Sequence, residues 1–174
     1  MPTAHDLDLA ALAVYLHEAD RILVSWDTWA DRHTDTDGWP HDADRYGERA
    51  AQRDADIWRA FSPVRQCAGT LINTARRQVK QLPQGDAHDR WSHGLDTLAS
   101  ALERIDALEA ERAGASDQEE AVFVRNEEAW PALDDWAVHG HVLIEIDVAA
   151  QQRNAASPPS PAPRPRQEKP RRRR

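Results

Sequence analysis

From Leu9 onward the apolar residues fall at Leu9, Leu12, Leu16, Ala19, Leu23, Trp26 and Ala30, in steps that alternate between three and four. That spacing places one side chain per turn along a single stripe of an α-helix, and a stripe of this length has to be covered by other helices. The chain is therefore expected to fold by helix-on-helix packing. Thr3 with Asp6 three residues later reads as an N-terminal cap, which puts a first helix at about 4 to 32. The segment HTDTDGWPHD, with Gly38 and Pro40 among polar turn-formers, ends it.

A second helical pattern covers about 42 to 82, with Tyr46, Ala50, Ile57, Phe61, Val64, Ala68, Leu71, Ala75 and Val79 on its apolar side. Ser62-Pro63 interrupts it and resembles a cap followed by proline at the first helical position, so a kink or a new helix is expected there. Asp86 is the expected cap of a third helix at about 87 to 113, carrying Trp91, Leu95, Leu98, Leu102, Ile105 and Leu108 and stopped by Gly114. Ser116 to Glu119 forms a capping box for a fourth helix at about 117 to 153, with Phe123, Trp130, Leu133, Ala137, Ile144 and Val148 as its core stripe and a kink at Pro131. HVLIEIDV, residues 141–148, alternates like a strand, but only AVFV at 121–124 offers it a partner, and helix is preferred. The expected fold is an all-α up-and-down bundle of four helices, five if the second splits at Ser62-Pro63, roughly 40 Å long.

Charge divides the chain in two. Residues 1–152 hold 14 basic and 29 acidic side chains, a net of −15, whereas residues 153–174 carry eight cations against Glu168 alone. From Ser157 the sequence SPPSPAPRPRQEKPRRRR contains six of the eleven prolines and nothing apolar larger than Ala162. A segment that cannot bury apolar surface cannot offset the entropy of ordering, so residues 154–174 are read as a disordered Pro/Arg-rich tail beside an acidic bundle at 1–153. A single cysteine excludes a disulfide framework, and the longest uncharged runs are too short to span a bilayer. With no signal-peptide pattern in MPTAHDLDLA, the expected location is cytoplasmic.

Motifs that carry chemistry are missing. The seven glycines are too widely spaced for GxGxxG, no Gly-Lys pair marks a P-loop, and neither Glu-x-x-His pairs nor HExxH, Cys-x-x-Cys or GxSxG occur. His33, Asp35, Asp37, Gly38 and Asp44 fall at positions of a calcium loop, but imidazole at the first position and a short Asp at the last are poor choices for that ion. Transition-metal binding by His33, His41 and nearby Asp carboxylates is a further option, whereas His139 and His141 point to different faces of a helix and would need a non-helical backbone to share a metal. Cys67 reads as a small packed hydrophobe. No catalytic, cofactor or metal residue is assigned.

Two features point to partners. Seven tryptophans against two Phe and two Tyr is an unusual choice; Trp26, Trp91 and Trp130 lie on the seams, whereas Trp29 and Trp39 lie off them and are candidate partner-binding aromatics, with Trp136 a possible addition beside Trp130. Arg164, Arg166, Lys169, Arg171, Arg172, Arg173 and Arg174 are candidate contacts for nucleic acid or for an acidic protein, this one included. The expectation is a non-enzymatic adaptor bundle that engages another protein, with self-association as an option and no membrane contact. The alternative is an accessory protein that binds nucleic-acid phosphates weakly and salt-dependently through its tail. An enzyme with dispersed residues is the third reading.

Overall fold

The computed structural model describes residues 1–113 and 118–156. Among them are five helices: α1 (Ala4–His33), α2 (Ala43–Val79), α3 (Asp86–Arg112), α4 (Gln118–His139) and α5 (His141–Ala156). The all-α expectation holds. The candidate tail cations Arg164, Arg166, Lys169 and Arg171 to Arg174 lie outside the described residues, as do the expected stop at Gly114 and cap at Ser116.

Side-chain pairs fix the directions of the helices. Tyr15 meets Phe61 and Trp26 meets Tyr46, so α1 and α2 are antiparallel. Arg65 pairs with Asp106 and Arg76 with Asp96, which makes α2 and α3 antiparallel too. Arg112 pairs with Glu128 near one end of α3, and Arg90 with Glu145 near the other, so α4 and α5 together form the returning fourth rod. Phe61 packs on Trp136, placing α2 parallel to α4 as the diagonal pair of the bundle. α2 touches every other helix, whereas α1 and α3 flank it without meeting each other.

α1 begins with the expected reciprocal cap: Asp6 N–H donates to Thr3 Oγ1 at 3.1 Å and Thr3 N–H to Asp6 Oδ2 at 2.7 Å. Its seam gains a member that the apolar count passed over, because the Tyr15 ring is buried and its hydroxyl donates to the Leu133 carbonyl at 2.8 Å. α2 does not split at Ser62-Pro63; it runs unbroken from Ala43 to Val79. Pro63 lies on the exposed side, the Ser62 hydroxyl donates to the Trp58 carbonyl, and Ile57, Phe61, Val64 and Ala68 are buried on either side of the proline. Packing on both flanks outweighs the roughly 3 kcal/mol cost of an internal proline. α3 starts one residue earlier than expected, with Gly85 rather than Asp86 at its cap.

The fourth rod departs most from expectation. It passes through Pro131 as helix and breaks instead at Gly140, and residues 141–148 are helical, not a strand. Gly140 is buried, and a Cβ there would lie 2.6 Å from the Trp136 carbonyl oxygen and 3.0 Å from Leu16 Cδ2. The backbone carbonyl of Trp136 is what demands glycine, with Leu16 and Leu12 of α1 closing the remaining space. Phe123 and Val148, expected in the core, are 52% and 46% exposed. The buried stripe runs through Asn126, Ala129, Leu133, Trp136, Gly140, Leu143 and Asp147, again in steps of three and four. Trp136 is fully buried and so is core, not part of a partner surface. Trp91 and Trp130 pack half-buried against the core as expected.

Candidate functional site

At the end of the bundle where α2 and α4 begin, the two parallel helices leave an open groove of about 850 Å³. Its volume is in the range of ligand-binding clefts. The floor is built of the small residues Ala43, Gly47, Ala50 and Ala51, and a Cβ at Gly47 would meet nothing within 4 Å. Phe123, displaced from the core, forms an apolar wall. Among the described residues, the charged members of the lining are Asp44, Glu48, Asp54 and Glu127, all acidic.

Asp54 is held differently from the other three. It occupies the gap in the α2 seam between Ala50 and Ile57, at helical spacing from both, and is buried. Arg53 donates to its Oδ1 from Nε at 2.8 Å and from Nη2 at 2.7 Å. The Arg53 guanidinium in turn lies 3.9 Å from the Trp130 ring centre and 4.5 Å from that of Trp26. Burial pushes the Asp54 carboxyl above its usual range, opposed by the hydrogen bond and charge of Arg53 and reinforced by Glu127. Asp44, Glu48 and Glu127 are exposed and take no part in the salt bridges that lace the described residues elsewhere.

A second arginine clasp flanks this end. Arg125 lies 4.0 Å over the Trp58 ring, donates to Asn126 Oδ1 at 2.8 Å from Nη2, and pairs with Glu109 at 2.9 Å. Arg53 and Arg125 are thus both engaged on aromatic faces. Arg45 and Arg49, next in the chain to the groove residues Asp44 and Glu48, line the adjoining pocket beside Trp29.

Trp29 and Trp39 are not brought together as one surface. Trp29 is half-buried, stacked on His33 with ring centres 4.1 Å apart, and 5.7 Å from Tyr46. Trp39 is 72% exposed at the tip of the α1–α2 turn, where Asp35 Oδ1 accepts from the amides of Trp39 and Asp37. The carboxylate of the calcium-like loop is thereby turned onto its own backbone, and His33 Nδ1 sits 2.7 Å from the Trp29 carbonyl. His139 and His141 have separate neighbours, His93 and Glu145. Among the described residues no group of three His, Cys, Asp or Glu is placed to hold a metal ion. Cys67 is half-buried, its thiol 3.3 Å from the Val64 carbonyl, and burial raises its pKa and so disfavours the reactive thiolate.

Reading the sequence alone missed Gly47, Asp54 and the exposure of Phe123. The available signal was the gap in the α2 seam between Ala50 and Ile57, which a carboxylate fills. Among the described residues no helix is long and apolar enough to cross a membrane. Comparison of the chain with protein-family models, with curated proteins and with solved structures finds no match in any of the three.

Proposed function

We propose that this chain is a non-enzymatic protein-binding bundle whose α2/α4 groove docks a cationic segment of a protein partner. One observation carries the reading: an open groove with an apolar floor and one aromatic wall whose charged lining, among the described residues, is four acids. A small-residue floor admits the stem of a long side chain, while Asp44, Glu48 and Glu127 at the rim accept from its guanidinium or ammonium head. Phe123 adds a face for cation–π contact or for an apolar neighbour. Among the described residues the lining offers no hydroxyl, thiol or imidazole, and its one buried carboxylate is already paired with Arg53, which supports binding over chemistry. The acidic field that favours this partner also disfavours nucleic acid on the same face.

The experiment is fluorescence anisotropy of a labelled arginine-rich amphipathic peptide titrated with the full chain. Glu48→Lys with Glu127→Lys is expected to weaken binding about ten-fold or more, and Phe123→Ala several-fold. Reversing two acids remote from the groove, Asp20 and Asp96, is expected to change it less than about two-fold. Equal losses from both pairs would reduce the interaction to net charge and remove the groove from the account.

A further inference from the structure

We infer that the groove of one copy is occupied by the cationic segment 164–174 of a second copy. The inference rests on the reading of the groove as a cation-docking site and names its occupant. Three observations support it.

Charge is complementary within the chain: residues 164–174 carry seven cations and one acid, and among the described residues the groove is lined by four acids and no base. Proline supports it next. Pro163, Pro165 and Pro170 fix φ through this stretch and remove amide donors, so the segment forfeits less entropy on binding than a flexible chain of equal charge.

Geometry then selects a second copy over the same one. α5 ends at Ala156 beside the far end of α2, where Arg153 donates to Gln81 Oε1 and Gln78 to Asp147. From Gln81 back to Glu48 the helical rise amounts to about 50 Å. At the polyproline II rise, residues 157–171 would reach about 46 Å and residues 157–174 about 56 Å. Within one molecule only the last arginines arrive, and only by straightening the whole segment along an acidic body. Between two antiparallel copies the end of each α5 lies next to the other's groove, and no such span is needed. A two-fold pair makes the contact twice, so each exchange raises the effective concentration for the other.

The test uses sedimentation velocity on full chains at about 50 and 300 mM salt. The wild type is expected to form a dimer at low salt that dissociates at high salt. Replacing the seven cations of 164–174 by Gln is expected to give monomer, and so is Glu48→Lys with Glu127→Lys; Glu48→Gln with Glu127→Gln serves as a milder second variant, and circular dichroism checks the fold of each. Mixing the segment variant with the groove variant leaves one good groove and one good segment, and is expected to restore a one-to-one heterodimer. A wild type that stays monomeric throughout, or a dimer indifferent to both variants, overturns the inference. So does a monomer whose affinity for the labelled arginine-rich peptide rises when its own segment is neutralised, since that is docking within one molecule. Where exchange fails, the same peptide separates the two claims: a segment variant that still binds it leaves the groove reading standing, and one that does not removes both.

Discussion

Arg53 and Asp54 are neighbours in the chain and also partners across it: the guanidinium donates twice to the adjacent carboxylate while sandwiched between Trp26 of α1 and Trp130 of α4. One side chain therefore ties three helices together and fixes the buried acid at the edge of the groove. Truncating it leaves a buried carboxylate without its counter-ion. Arg53→Met is expected to lower unfolding stability by about 3 kcal/mol in urea titrations, and adding Asp54→Leu is expected to return most of that loss. A double variant as unstable as the single one would mean that stacking on the tryptophans, not charge pairing, is what Arg53 contributes.

Asp54 and Glu145 are expected to give opposite pH signatures. Burial raises the Asp54 pKa in the folded state, so its ionised form costs stability above that pKa and the cost disappears as pH falls below the unfolded value of 3.8. Losing the Arg53 pair sets a constant offset, and on top of it the stability of Asp54→Asn relative to wild type should rise from about pH 4 to about pH 7. Glu145 is lowered first by the Trp91 Nε1–H bond and then by Arg90, so it stabilises above the unfolded value of 4.5 and loses that contribution as pH falls through its folded pKa. Trp91→Phe is expected to show its larger deficit at neutral pH. Urea midpoints of each variant across the acid range check both signs.

Glycines at two helical positions and at the α4–α5 break are expected to respond in opposite directions. Gly69 and Gly47 have open space where a Cβ would go, so Ala at either is expected to add about 0.5–1 kcal/mol of stability. At Gly140 the same change drives a methyl into the Trp136 carbonyl and Leu16, and is expected to cost about 1–3 kcal/mol. Thermal unfolding of the three variants reads this directly.

Tyr15 lies in the middle of the bundle, its ring edge-on to Phe61 at 5.2 Å and its hydroxyl bonded to the Leu133 carbonyl. Tyr15→Phe is expected to cost about 1–2 kcal/mol by leaving that carbonyl without this donor in the core. Burial holds the phenol far above its usual pKa, so alkaline absorbance titration of the native protein is expected to show no Tyr15 ionisation before unfolding.

Much of the bundle could be read from the sequence because the seams of α1, α2 and α3 are written in large apolar residues at three- and four-residue spacing. The fourth rod was harder, because its buried stripe contains Asn126, Gly140 and Asp147, residues that an apolar count skips, while Phe123 and Val148 attract it to the wrong face. Asp147 is tolerated inside because His5, Gln78 and Gln151 from three helices approach its two oxygens at 3.0, 2.8 and 2.7 Å. At Pro63 local propensity leaves a kink and a split both open, and packing on both sides keeps α2 as one helix. The groove left little trace, since its floor is made by what is small and its wall by a phenylalanine that pattern alone assigns to the core.

The most direct test of the groove as a cation-docking site is photo-crosslinking of the full chain carrying benzoylphenylalanine at position 123, or at the exposed position Val14 on α1, in the presence of a labelled arginine-rich peptide. The account predicts a covalent adduct from position 123 that is lost with Glu48→Lys and Glu127→Lys, and little or none from position 14. Equal labelling from both positions, or none from 123 at saturating peptide, would contradict it.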